Sequence, residues 1–179
     1  MTTSDLDRLV ATLSALGSVA SPEGAGFTEL DHALQCAFEL SVTHPDDPEL
    51  QVAGLVHDIG HQFGDDDAHG RTGAAFVDPV LGTRVARLVE AHVPAKRYLV
   101  AVDPGYALSS VSVTSLAAQG GPLSPADRQA FESSPHSADA VGLRRADDAA
   151  KTPGRPVPPL ERWIPVLERV ARNVSDRTR

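Results

Sequence analysis

Six of the seven histidines in this 179-residue chain fall between positions 32 and 92. His44 sits in a turn, but His32, His57, His61, His69 and His92 lie on or beside segments whose apolar residues recur at helical spacing. Leu30, Ala33, Leu34, Ala37 and Phe38 form such a stripe around His32, and Val52, Leu55, Val56 and Ile59 form another around VHDIGH. Val85, Leu88 and Val89 place His92 on the apolar face of a third. A buried neutral imidazole needs partners for both ring nitrogens, so several of them converging on one core would be costly unless something bonded them all. A metal ion does so, whereas a lone histidine on an apolar face is more often a satisfied core residue. The chain is therefore expected to fold as an all-α bundle with a polar centre inside it.

The remaining segments support a single helical domain over 1–179, with a core of about 28–165. Ser4 and Asp7 resemble a capping box for a helix over 4–17, with Leu6, Leu9, Val10, Leu13 and Leu16 inward. Pro22–Gly26 breaks the pattern, and Thr28 with Asp31 caps the helix that carries His32. Asp47-Pro48 reads as N-cap and N1 of a helix that includes VHDIGH. QFGDDDAHG is a polar loop in which Asp65, Asp66 and Asp67 are solvated, and a short helix over Gly73–Val77 follows His69. Arg84–Val93 forms the next helix, while 99–122 reads as mostly loop with a short helix over Ser112–Ala118. Ser124-Pro125 with Asp127 starts another, and Ser137–Ala150 places Ala140, Leu143, Asp147 and Ala150 on one inward face. A proline-rich connector precedes a last helix with Leu160, Ile164, Leu167 and Val170, and the tail RNVSDRTR is expected to fray. His44 and His136, among turn residues, are expected to be exposed.

Composition narrows the partners. A net charge of −8 and a pI near 5.2 argue against a broad grip on nucleic acid or anionic membrane, and 4% aromatics leave little for stacking bases. No run of 18 apolar residues spans a bilayer. With Cys36 alone there is no intrachain disulfide, and MTTSDLDRLV has no basic region leading into an apolar run, so the expectation is cytoplasmic. Cys36 reads as a small core residue.

The pair His57-Asp58 gains weight from its place beside buried apolar residues. Neighbours on a helix point about 100° apart, so both reach one site only if it is wedged between helices, where His57 binds one ion and Asp58 bridges two. The order His32, His57-Asp58 and a late Asp147 resembles the HD-domain superfamily of metal-dependent enzymes. Those four residues suffice for one ion, whereas adding His69 and His92 gives four imidazoles and two carboxylates, enough for two ions sharing Asp58. Nitrogen and oxygen ligands without thiolate suit iron, manganese or zinc.

A narrower resemblance covers roughly residues 28–165. ELDHALQCA, AGLVHDIGH, HGRTGA, EAHVPAKRYL, SLAAQGGPLS, LRRADDAAK and PPLERW together are similar to the HD-domain mixed-valent di-iron oxygenases of phosphonate breakdown, relatives of myo-inositol oxygenase. The resemblance implies an Fe(II)/Fe(III) pair that uses dioxygen to cleave a carbon–phosphorus bond. It implies His32, His57, Asp58, His69, His92 and Asp147 as ligands, with Lys96 and Arg144 facing the substrate anion. Ser112, Ser115 and Gln119 become phosphonate contacts, and His61 sits behind the ligands or touches substrate as an acid or base. Arg144 also lies three residues before Asp147 and can pair with it, while Asp148 reads as a surface charge. A cationic site of this kind favours a small anionic substrate.

One end departs from the pattern. Where the members that cleave 2-amino-1-hydroxyethylphosphonate carry a tyrosine that caps one iron and a glutamate that receives the amine, this chain has Pro22 and Ala25. The expected substrate is therefore a 1-hydroxyphosphonate with a neutral, small or differently charged substituent, unless Glu23 or Glu29 is turned inward by the Gly24–Gly26 loop. The ligands alone also suit an HD phosphohydrolase that activates water against a phosphate ester, and a non-catalytic ligand-binding HD domain is a third class. HVPAKRYL and QGGPL favour the oxygenase. Oligomeric state is not legible.

Overall fold

The computed structural model describes residues 3–64 and 68–177. Among these the fold is all-α: α1 (Thr3–Ala15), α2 (Glu29–Thr43), α3 (Pro48–Val56), α4 (His69–Leu81), α5 (Thr83–Val102), α6 (Ser110–Ala118), α7 (Pro125–Glu132), α8 (Ser137–Ala149) and α9 (Leu160–Arg177). Short 3-10 turns occupy Leu16–Ser18 and Ile59–Phe63, and one isolated antiparallel bridge joins Ala20 to Thr28. No described helix is long and apolar enough to cross a membrane.

Local chemistry explains most of the boundaries. Thr28 and Asp31 close a reciprocal capping box, with Asp31 N donating to Thr28 Oγ1 (3.1 Å) and Thr28 N donating to Asp31 Oδ2 (2.9 Å). Asp47 caps α3 by accepting from Leu50 N at 3.0 Å, and Pro48 occupies the first turn where its missing N–H costs nothing. Arg84, near the start of α5, reaches Asp47 (2.6 Å), Glu49 (3.1 Å) and Asp139 (2.9 Å), and so ties α5 to the starts of α3 and α8.

Helices α2, α3, α5 and α8 pack around one core, which includes Leu40, Leu50, Leu55, Leu88 and Leu143. Leu9 and Leu13 of α1 and Trp163, Leu167 and Val170 of α9 join that core from outside. Each such fully buried side chain stabilises the fold by about 1.5–3 kcal/mol.

Several elements differ from the expectations above. α1 begins at Thr3, so Ser4 lies inside it and not at its cap. α3 ends at Val56, and the HD pair straddles its end. α4 is a 13-residue helix that starts at His69 itself. α5 runs 20 residues, straight through Pro94, because Ala95, Lys96 and Leu99 beyond it are buried and their packing offsets a proline cost of about 3 kcal/mol. Leu99–Val102 is therefore helix, and α6 begins at Ser110 with Ser109 as its cap. The last helix continues to Arg177 and does not fray at Arg172. Val174, half-buried, lies beside Gly82, where an added Cβ would come within 2.7 Å of its Cγ2, so the last turns dock on the α4–α5 junction. His44 and His136 are half-buried, not exposed. Asp65–Asp67 and the final two residues of the tail lie outside the described residues.

Candidate metal centre

Five segments bring the expected ligands to one point. His32 stands in the second turn of α2, His57 closes α3, His69 opens α4, His92 lies in the middle of α5 and Asp147 near the end of α8. All five are buried, none more than 4% exposed. Asp58 stands between them. Its backbone leaves the helix (φ −99°, ψ 6°), a sparsely populated conformation that aims the carboxylate inward beside His57.

The two oxygens of Asp58 divide the histidines into pairs. Oδ2 lies 3.5 Å from His32 Nε2 and 3.2 Å from His57 Nε2. Oδ1 lies 3.5 Å from His69 Nε2 and 3.4 Å from His92 Nε2. Asp147 adds to the first half, with Oδ1 3.3 Å from His32 Nε2. This arrangement suits two cations bridged by Asp58 and the loading expected from the ligand spacing.

Hydrogen bonds to the far side of the rings test that fit. The Nδ1 atoms of His32, His57 and His92 meet the carbonyls of Ala150 (2.9 Å), Gly54 (2.9 Å) and Val89 (2.6 Å). A carbonyl only accepts, so Nδ1 of each ring carries the hydrogen, and in the neutral ring Nε2 keeps a lone pair. His32 Nε2 and His57 Nε2 then face each other at 3.2 Å, an arrangement that is repulsive for two lone pairs and favourable with a cation between them. The His69 and His92 Nε2 atoms are 3.0 Å apart. Burial pulls His32 down, but Asp147 and Asp58 outweigh it and raise its pKa well above the ordinary value, so the two carboxylates favour a cation at that nitrogen, either a proton or a metal ion. Burial would raise both carboxyls, yet the imidazoles around Asp58, and Arg144 with His32 around Asp147, hold them well below the ordinary range. Both are ionised and ready to ligate.

Gly60 lets the second half approach. A Cβ there would sit 1.9 Å from the carbonyl oxygen of His69, so the Ile59–Phe63 turn meets the start of α4 backbone against backbone. His61 emerges from that turn, stacks on His69 with ring centres 4.0 Å apart, and puts Nε2 3.9 Å from Asp58 Oδ1. Its side chain is 35% exposed, at the mouth of the site.

The cluster forms one wall of a cavity of about 730 Å³, within the range of small-molecule sites. Lys96, Ser112, Ser115, Gln119 and Arg144, all expected at the anion end, line the same cavity. Lys96 Nζ donates to Ser115 Oγ (2.7 Å), and burial, with the charge of Arg144, pulls its pKa from 10.5 down to about 8. Among the described residues the buried Oε1 of Gln119 has no hydrogen-bond partner. The turn after α6 uses two left-handed glycines, Gly120 (φ 92°) and Gly121 (φ 70°), and Arg97 Nε donates to Gly121 O at 2.7 Å, which fixes Gln119 and the end of α6 against α5.

Two features were not anticipated. Lys151, four residues after Asp147, donates to Ser112 Oγ (2.9 Å), pairs with Glu23 Oε1 (3.1 Å) and lies 3.7 Å from Asp147 Oδ1. Its place in LRRADDAAK, one turn beyond Asp147, was the available signal. Asp148 is not a surface charge: its side chain is 21% exposed and binds Arg144 and Tyr106, because i, i+4 spacing puts it beside Arg144 on the helix. The exception set for the Gly24–Gly26 loop is met, since Glu23 and Glu29 both line the cavity, whereas Ala25 is exposed. Burial, then the charge of Asp58, raises the Glu29 carboxyl, and Ser21 hydrogen-bonds it. Cys36 is fully buried and its thiol is pushed well up, as befits an inert core residue.

Comparison with known proteins matches this frame. The HD domain family model covers residues 30–147, ending on the last residue of the cluster. The chain is 38% identical to hydroxymethylphosphonate dioxygenase of Gimesia maris over 79% of this chain and 76% of that protein. It is 31% identical to the glycine-betaine-forming [1-hydroxy-2-(trimethylamino)ethyl]phosphonate dioxygenase of Leisingera caerulea, over 82% and 81%. The cluster could hold metal and the relatives are named dioxygenases, so the chain is an oxygenase, and it belongs to the HD-domain family.

Proposed function

We propose that the protein is a di-iron oxygenase that cleaves the carbon–phosphorus bond of a small 1-hydroxyphosphonate, consuming one dioxygen and releasing phosphate and a carboxylic acid. The observation that carries the reading is the division of four histidines by the two oxygens of Asp58, facing a lysine- and serine-lined pocket. His32, His57 and Asp147 would hold one iron and His69 and His92 the other, with Asp58 between. Bound there, the iron pair supplies activation of dioxygen and removal of electrons from the carbon next to phosphorus.

The chain's own residues do the rest. The Lys96 and Lys151 ammonium groups, with the hydroxyls of Ser115 and Ser112 that they already contact, bind the phosphonate oxygens by charge-assisted hydrogen bonds. That anchors the phosphonate at the wall beside Asp147 and brings the hydroxyl-bearing carbon to the cluster. His61, at the mouth beside Asp58, is placed to orient the 1-hydroxyl and to take its proton. Leu55, Ile59 and Val93 line the same cavity and limit water beside the reacting carbon.

The substituent end favours a small or neutral group. Glu23, the carboxylate nearest the register of an amine receiver, already accepts from Ser109 Oγ (2.9 Å) and pairs with Lys151, so a second cation there would have to compete. Hydroxymethylphosphonate, named for one relative, has no substituent to place.

Anaerobically purified, iron-loaded protein should consume dioxygen and release phosphate from hydroxymethylphosphonate, with weaker turnover of 2-amino-1-hydroxyethylphosphonate. Hydrolysis of phosphate monoesters at equal rate without oxygen would overturn the oxygenase reading. Strong preference for the amino compound, kept in a Glu23→Ala, Glu29→Ala double variant, would overturn the reading of the substituent end alone.

A further inference from the structure

We propose that Tyr106 and Asp148 are positioning residues that hold Arg144 against the outer oxygen of Asp147 and keep the inner oxygen available to the metal. The inference rests on the cluster being a metal site, and goes beyond it to the groups behind the ligand.

Arg144, 4% exposed, lies one turn before Asp147 on α8. Its Nη1 donates to Asp147 Oδ2 at 2.5 Å, while Asp147 Oδ1 points to His32 Nε2. The other edge of the guanidinium is fully engaged. Nε donates to Tyr106 Oη (2.9 Å) and Asp148 Oδ2 (3.2 Å), and Nη2 donates to Asp148 Oδ1 and to Ser112 Oγ (3.3 Å). Tyr106 in turn donates its hydroxyl hydrogen to Asp148 Oδ2, which orients that carboxylate. A planar guanidinium held along one edge by a bidentate carboxylate cannot swing, so its remaining nitrogen fixes the rotation of Asp147. Arg144 was expected to face the substrate anion; most of its donors are directed to these carboxylates instead.

Charge gives the same device a second effect. The positive charge of Arg144 is shared between the carboxylates of Asp147 and Asp148. Lys151 Nζ is likewise 3.7 Å from both Asp147 Oδ1 and Asp148 Oδ1. Without the Asp148 charge Arg144 would lean on Asp147 alone, and Lys151, otherwise paired with Glu23, would lean harder on the oxygen that the metal needs; each would lower its strength as a donor. Groups behind a metal ligand commonly set affinity in this way. Tyr106 and Asp148 border a shallow outer cavity with Asp103, Gly105, Ala107 and Arg145, so both can be altered without opening the core.

The test is Co(II) titration of the full chain against a competing chelator, with the visible absorption of the bound ion as a reporter of coordination. Asp148→Asn and Tyr106→Phe are expected to bind the ion about 10- to 100-fold more weakly, with a changed spectrum. Asp148→Glu should recover part of the loss, and Arg145→Gln, which alters only the outer Arg145–Asp103 pair, should match the parent chain. Variants that fold and bind Co(II) with the parent affinity and spectrum would overturn the positioning role and leave the metal reading standing. Loss of the fold in both Asp148→Asn and Tyr106→Phe would also overturn it, since the group would then be a structural clamp. No uptake of Co(II) by the parent chain would overturn both readings.

Discussion

Lys96 carries the clearest consequence at the scale of one residue. Its burial penalises the ammonium form, which is the form that binds an anion, and its pKa sits at about 8. The ammonium fraction is full well below that value and is lost as pH rises through it, so kcat/KM for a phosphonate should fall on an alkaline limb near pH 8. Lys96→Arg, which stays charged, should remove that limb even if its bulk lowers the rate. A limb at the same pH in the arginine variant would assign it to another group. His69 and His92 give a second expectation: replacing either by alanine should leave a chain that holds at least one ion fewer than the parent, measured by metal analysis. The six residues that meet in the cluster could be named from sequence: apolar helical faces predict burial for His32, His57, His92 and Asp147, whereas Asp58 came from its place beside His57 and His69, in a polar loop, from the family resemblance. Lys151, Tyr106 and Asp148 could not be read so. Tyr106 meets Arg144 from far along the chain and leaves no local periodicity, while Asp148 and Lys151 stand at i, i+4 from Arg144 and Asp147, a spacing that a solvated helix face shows equally.

At the scale of the element, the site depends on how two helices end and begin. α3 stops one residue before His57, and the turn that follows lies against α4 with only Gly60 between backbones. Gly60→Ala sets a Cβ against the His69 carbonyl, a backbone atom that cannot rotate aside, so a loss of about 1–3 kcal/mol or more is expected in urea unfolding. The same shift moves His69 from Asp58, so metal uptake in the second half should weaken in parallel. A Gly60→Ala variant with parent stability and metal content would show that the turn can relax at no cost. Sequence periodicity located these helices but misjudged their ends. It stopped α5 at Pro94, since proline ordinarily ends a helix, and the buried residues beyond it are apparent only once α8 is packed alongside. It also carried α3 through His57, where the chain instead turns out of the helix to aim Asp58.

For the whole molecule, the telling contacts are those that join distant segments. Arg84 gathers Asp47, Glu49 and Asp139 from two other helices, each pair partly exposed. Because the three share one guanidinium, Arg84→Met should cost about 1–2 kcal/mol, more than one exposed pair usually contributes, measured as a lower midpoint in urea. An unchanged midpoint would make the network ornamental to stability. The ligand cluster joins still more distant parts, α2, α3, α4, α5 and α8, in a chain whose single cysteine allows no disulfide between them. Bound ions are then withdrawable cross-links, and mass action makes them part of the folding equilibrium. An ion at about a hundred times its dissociation constant adds about 2.7 kcal/mol, which for a chain of this size corresponds to roughly 5–10 °C in Tm. Stripping the metal with a chelator should lower the melting temperature by that order, and restoring it should return the difference. Differences of that size alter how long a chain survives proteolysis in a cell. The abundance of this enzyme would then follow the supply of its metal, so that starvation for the ion removes the protein as well as its activity.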